Sequence, residues 1–217
     1  MSMDKIREVT LIDYGAGNLL SVKRAFENFN AKVVISSNAD QILSSSRVVL
    51  PGVGAFKSAM HSLVDHGLDK VLKEVAKQKI PLLGICLGMQ LLLDESNEHG
   101  SNPGLGLIPG HVEGVPNQSQ KGEKLRIPHV GWNEIYPHKE DSWKNTLLKN
   151  NHPGEAVYFL HSYKATVKKQ EHIIAYCLYG GNKITAAIKL DHIFGCQFHP
   201  EKSGLVGLKI MQNFLAE

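Results

Sequence analysis

Three side chains in this sequence have the types and spacing for covalent catalysis: Cys86, His199 and Glu201. Cys86 lies in Gly84-Ile85-Cys86-Leu87-Gly88, closing the apolar run 80–86 (IPLLGIC) and preceding the helix-like LGMQLLLDE. Strand, nucleophile and helix in direct succession have the form of a nucleophile elbow, with cysteine where many hydrolases carry serine. Flanking glycines let the backbone fold tightly around such a turn. A helix N-terminus beyond it favours negative charge on the sulfur. Alone, the motif reads equally well as a buried core cysteine. His199 and Glu201 stand in Gln197-Phe198-His199-Pro200-Glu201, at the end of a strand-like run. On an extended backbone, residues two apart point to the same side. The pair is therefore expected to face a common site, with Pro200 restraining the turn. A histidine there can take a thiol proton, and a carboxylate can orient and stabilise the imidazolium. In isolation the pair would read as a surface contact of little energetic weight. Its occurrence together with the elbow points to a cysteine nucleophile and its base.

A third element, Pro51-Gly52-Val53-Gly54, follows the strand-like run 47–50 (RVVL). A glycine-rich strand end can turn N–H groups toward developing negative charge. Gly52, Val53 and the Leu87 N–H are the resulting oxyanion-hole candidates, although four such residues alone read as an ordinary turn.

The elements that must position these groups follow from periodicity. Residues 8–13, 32–36, 47–50 and 80–86 read as strands. Leu19, Val22, Phe26 and Phe29 recur at helical spacing after Asn18, a cap candidate. A short helical stretch fits between 36 and 47, and 55–78 reads as a helix broken near Gly67. This alternation predicts an α/β fold with a central, mainly parallel sheet. The second half reads differently. Residues 124–136, 156–167, 172–179, 183–190 and 193–198 are strand-like and predict added antiparallel strands, with an amphipathic helix over 205–215. The stretch 96–123, rich in Gly, Asn, Gln, Ser and Pro, reads in part as a surface loop. No repeat or linker divides the chain, so residues 1–217 are expected to form a single domain.

Composition narrows the function classes. With 42% hydrophobic and 21% charged residues, the chain has an ordinary globular make-up. A formal charge of +3 gives no electrostatic reason to expect a nucleic-acid partner. No run of about 18 apolar residues occurs, so no membrane span is expected. The start, Met-Ser-Met-Asp-Lys, lacks the apolar stretch of a secretory signal. Cys86, Cys177 and Cys196 are odd in number and far apart, which fits a reducing, cytoplasmic setting rather than a disulfide framework. Cys177 and Cys196, within strand-like runs, read as core. The histidines show no zinc-site spacing, so no metal is expected. Gly15-Ala16-Gly17 invites a dinucleotide reading, but Leu20 stands where the third glycine belongs, and no cofactor is expected. Lys121, Lys124 and Arg126 read as a solvated basic loop.

PGVG, GICLGMQLL and QFHPEKSG, in that order, resemble the class I (triad) glutamine amidotransferases. The resemblance covers nearly the whole chain. DYGAGNLLSVKRAF, PHVGWNEIYP and YFLHSY look specifically like the glutaminase subunits of imidazole glycerol phosphate synthases. The resemblance implies a flavodoxin-like amidotransferase domain in which Cys86 attacks glutamine, His199 shuttles the proton and Glu201 orients His199. It implies that Gln90, one helical turn beyond Cys86, holds the amino-acid end of glutamine together with Ser162 and Tyr163. It also implies a heterodimer with a (β/α)₈-barrel cyclase that consumes the ammonia. Asn18, Trp132, Asn133, Tyr158 and Lys202 are then candidates for the partner interface or its gate. Glycines on both sides of Val53 would let its peptide reorient, so that partner binding completes the oxyanion hole. Three rival readings stay open: a sibling subunit feeding another synthase, such as one acting on a surface sugar; a triad hydrolase for larger γ-glutamyl substrates; and an inactive binding module. An inactive descendant would be expected to lose a triad residue, and all three are present.

Overall fold

The computed structural model describes residues 7–217, so the N-terminal stretch read above as lacking a secretory signal lies outside the described residues. Strand β1 (Glu8–Ile12) leads into helix α1 (Leu19–Glu27), where the Asn18 side chain accepts a hydrogen bond from the Ser21 N–H. β2 (Lys32–Ser36), α2 (Ala39–Leu43) and β3 (Val48–Gly52) follow. The helical stretch over 55–78 is broken where expected: α3 (Phe56–Asp65) and α4 (Leu68–Lys77) meet at Gly67, whose φ of +68° suits glycine. β4 (Leu82–Cys86) then runs straight into α5 (Leu87–Leu91).

Helix α5 is shorter than the helical reading of LGMQLLLDE. The chain doubles back, and the N–H groups of Leu105, Leu107 and Gly106 bond to the carbonyls of Leu91, Leu92 and Leu93. Those carbonyls would have had to serve a continuing helix. The returning chain forms β5 (Glu95–Ser96), β6 (Asn102–Pro103) and β7 (Gly110–Gly114). Part of the stretch read as loop-rich thus builds a second sheet.

The remaining strands are β8 (His129–Pro137), β9 (Ala156–His161), β10 (Tyr163–Val167), β11 (Ile173–Tyr179), β12 (Asn182–Leu190) and β13 (Ile193–Cys196), before helix α6 (Gly204–Phe214). Two of the strand readings need correction. The run 124–136 becomes strand only at His129, after Pro128, which has no N–H for a ladder; Lys124 instead bridges locally to Gln118. The run 156–167 breaks at Ser162, with β9 pairing β8 and β10 pairing β7 in a different sheet.

The large sheet has the order β2-β1-β3-β4-β13-β12-β11-β8-β9, and the small one β10-β7-β5-β6. From β2 to β13 all pairs are parallel; from β13 to β9 all are antiparallel. Fully apolar strands such as β3 and β4 occupy the middle, where both faces are covered. On one face Val9, Leu11, Val49 and Leu83 pack with Phe26 of α1 and Phe214 of α6. On the other, Ile12, Val48, Leu50 and Leu82 pack with Leu63, Leu68 and Leu72 of α3 and α4. Among the described residues, no helix is long and apolar enough to cross a membrane.

Candidate active site

Cys86 sits where β4 gives way to α5, with φ +54° and ψ −111°. A residue with a β-carbon rarely adopts such a backbone, and it lifts the side chain out of the turn. The glycines around it are required by contact. A β-carbon on Gly88 would lie 1.8 Å from the Leu50 carbonyl oxygen, and one on Gly84 would lie 2.6 Å from the Gly88 oxygen. The elbow therefore packs backbone on backbone against β3. Cys86 is nearly buried, with Sγ 3.6 Å from the Leu160 carbonyl oxygen.

His199 ends the segment after β13, adjacent to β4 in the sheet, which brings it to the same end as Cys86. Its Nδ1 meets Glu201 Oε1 at 2.8 Å, and both side chains are buried. Strand alternation, from which the sequence reading put the two on one side, is not what brings them together. Pro200–Lys202 is a 3₁₀ turn, and that turn brings the carboxylate under the ring. Nε2 of His199 is buried without a hydrogen-bond partner. Burial works against charge on this imidazole, but the adjacent Cys86 sulfur and the Glu201 carboxylate outweigh it and raise the pKa to about 9.

Cys86 and His199 line one cleft of about 460 Å³, together with Val53, Leu87, Gln90, Ser162 and Tyr163. Glu201 does not line it and stands behind His199. Val53 is 44% exposed, and Gly54 beyond it has φ +100°. Gly52 is instead packed beneath, against Gly88 and the Tyr14 hydroxyl. Leu87 opens α5, so its N–H has no acceptor within that helix.

The interface candidates separate into groups. Trp132 and Tyr158 are cross-strand partners with ring centroids 6.1 Å apart, and Lys202 Nζ lies 6.0 Å from the Tyr158 ring centroid. Asn133 is not on that face. Its side-chain nitrogen bonds inward, to the Leu178 carbonyl at 2.9 Å and to His129 Nε2 at 3.4 Å. Asn18 caps α1.

Sequence reasoning missed Glu98, His161 and Gln197. Glu98 lines the cleft, and its Oε2 accepts the Phe56 N–H at 2.6 Å. It supplies negative charge that suits an ammonium group. His161 lines the cleft as well. Gln197 is fully buried and bonds to Gln90. Gln197 was visible as the residue two before His199; Glu98, in a loop-rich stretch, carried no signal. Cys177 and Cys196 are buried as read; burial pushes the Cys177 thiol up to about 12.

The family model for class-I glutamine amidotransferases matches residues 10–217. The chain is 48% identical over 208 residues to imidazole glycerol phosphate synthase subunit HisH 1 of Legionella pneumophila (strain Lens), covering 95% of this chain and 98% of that protein. It is 45% identical over 206 residues to subunit HisH of Listeria monocytogenes serotype 4b, covering 95% and 94%. Among solved structures, PurLQS from Thermotoga maritima matches with a TM-score of 0.66 at 17% identity, over 96% of this chain and 97% of that one. That likeness speaks to the fold alone.

Proposed function

The chain belongs to the class-I glutamine amidotransferases, and from that premise we propose that it is the glutaminase subunit of an imidazole glycerol phosphate synthase. The observation that carries the reading is the buried His199–Glu201 pair with a free Nε2, opening on the same cleft as a cysteine on a strained elbow.

Cys86 Sγ attacks the carboxamide carbon of glutamine, and the thiol proton passes to His199 Nε2. N–H groups of Val53, just beyond the β3 end at Gly52, and of Leu87, at the start of α5, receive the oxyanion. The C–N bond breaks as Nε2–H protonates the departing nitrogen, leaving a glutamyl thioester and ammonia. Water, giving a proton to His199, attacks the thioester carbon; the proton returns to sulfur as glutamate leaves. Glu201 keeps Nδ1–H engaged throughout, so Nε2 does the transfers. Gln90, Ser162 and Tyr163, with the Glu98 carboxylate, hold the amino-acid end.

Free ammonia is protonated in water and lost as a nucleophile, so its consumer must dock over the cleft. A (β/α)₈-barrel cyclase of histidine biosynthesis fits that role, in a cytoplasmic heterodimer whose contact includes Trp132, Tyr158 and Lys202. Its docking reorients the Val53 peptide and completes the oxyanion hole.

The test is glutamate release from glutamine by the chain alone and with a histidine-pathway cyclase plus its nucleotide ligand, with Cys86→Ala as control. Strong stimulation that vanishes in the control is expected. Equal rates with and without the liganded cyclase would reject the gating. No stimulation, with Cys86 still labelled by a glutamine-analogue electrophile, would assign the subunit to a sibling synthase. Neither labelling nor turnover would overturn the enzyme reading.

A further inference from the structure

Gln197 takes no part in the chemistry above, yet its side chain touches two members of the site. Its Oε1 accepts a hydrogen bond from Gln90 Nε2 at 3.0 Å, while its own Nε2 lies 3.9 Å from Cys86 Sγ. The bond to Gln90 is the stronger of the two. The Gln90 nitrogen also donates to the Tyr163 carbonyl at 2.9 Å. A carbonyl only accepts, so the flipped Gln90 amide would set oxygen against oxygen there. Nor is the Tyr163 carbonyl free to move. A second donor, His161 Nδ1 at 2.8 Å, holds it and uses its other lone pair. That bond fixes His161 as the Nδ1–H tautomer, whose Nε2 accepts from His129 Nδ1 at 3.0 Å. Both protons of the Gln90 amide are thus engaged inside the protein. Gln90 lines the cleft with only its oxygen left for a ligand.

We propose that Gln197 is a positioning residue: together with the Tyr163 carbonyl it locks the Gln90 carboxamide so that the cleft presents an acceptor, selecting a ligand that donates there. The α-ammonium group of an amino acid has that polarity, and the Glu98 carboxylate in the same cleft reinforces it. The inference rests on the glutaminase reading and adds to it how the amino-acid end is recognised.

Two reagents at Cys86 separate recognition from reactivity in the full chain. A diazoketone analogue of glutamine carries the amino-acid end; iodoacetamide does not. Gln197→Leu removes one of the two acceptors, leaving one Gln90 N–H unpaired and the amide held by the Tyr163 carbonyl alone. The half-saturating concentration of the analogue should rise about tenfold, the scale of one hydrogen bond with a donor left unpaired. The maximal labelling rate and the iodoacetamide rate should stay within about threefold, well inside that scale. Gln197→Glu keeps an acceptor toward Gln90 and should restore half-saturation to within about threefold of the unaltered chain. If Gln197→Leu does not fold by circular dichroism, Gln197→Met gives the same comparison with a side chain of closer shape. Unchanged half-saturation in the apolar variant, equal slowing with both reagents, or no rescue by Glu would each overturn the proposal. An unaltered chain that reacts with iodoacetamide and never saturates with the analogue would remove the glutaminase reading, and this inference with it.

Discussion

At the scale of single residues, the decisive feature is that His199 has one nitrogen committed and one free. Glu201 fixes Nδ1 from a buried position behind the ring, and it does not reach the cleft. Replacing it should therefore change turnover and leave binding alone. Glu201→Gln keeps a polar partner but removes the charge and permits the wrong tautomer. We expect kcat for glutamate release to fall about 10²–10⁴-fold, the usual span for general acid–base assistance, with KM changed less than about threefold. Steady-state kinetics in the presence of the partner would check this; a matching rise in KM would mean that Glu201 contacts substrate after all. The His199 pKa, raised to about 9 in part by that carboxylate, should move down toward the ordinary 6.5, as read by NMR titration of the ring. The raised value also carries a stability consequence. Protonated His199 contributes fully below about pH 6.5, and that contribution is lost as pH rises through about 9. The variant should lose less stability across that interval.

Elements determine whether these residues meet, and here the sequence was legible unevenly. The elbow could be read because strand, Cys86 and glycines are contiguous. The parallel half of the sheet could be read because buried strands are short apolar runs. The end of α5, the break at Ser162 and the small sheet could not, because each depends on which distant segment takes a carbonyl or an edge. The glycines of the elbow give a direct test. Gly88→Ala sets a β-carbon into the Leu50 carbonyl, backbone that has no rotamer to yield, and should cost about 3 kcal/mol or more, or prevent folding. Gly114→Ala, in β7, meets nothing within 4 Å and should stay within about 0.5 kcal/mol, both read from urea denaturation. The β8–β9 ribbon makes a second prediction. His129 and His161 are buried against Phe159, Tyr179, Asn133 and the Tyr163 carbonyl, and desolvation lowers both pKa values to about 4; for His161, the neighbouring His129 and His199 lower it further. The unfolded chain, with ordinary values near 6.5, then binds more protons than the folded one between those limits. The contribution of keeping these two rings neutral should be complete above about pH 6.5 and decline toward pH 4, by about 2 kcal/mol at pH 5 for one such histidine. His129→Gln should lower stability at pH 7 but flatten that decline; an equally steep decline would place the acid-sensitive group elsewhere.

For the molecule as a whole, the sheet's last two strands turn an apolar stripe outward beside the cleft. Val130 and Leu160 are cross-strand partners, as are Trp132 and Tyr158, so all four side chains share one face. Trp132 is 59% exposed and Val130 52%, while Leu160 also lines the cleft next to Cys86. A contiguous exposed stripe of this kind is costly in water unless another surface covers it. Through Leu160 the stripe is continuous with the cleft, so a partner seated on it would lie beside the thiol, where the proposed ammonia transfer would need it. Trp132, packed edge-to-face on Tyr158, is the large aromatic best placed to anchor such a contact. Trp132→Ala should weaken cyclase binding by about 2 kcal/mol or more, some thirtyfold in Kd by isothermal titration calorimetry. Because the side chain is largely exposed in the free subunit, the urea midpoint should barely move. Cyclase-stimulated glutamate release should then recover at high cyclase concentration. Failure to recover at saturation would mean that Trp132 acts on the turnover step itself rather than on docking. Unchanged affinity would move the partner to another face and leave the stripe without an explanation.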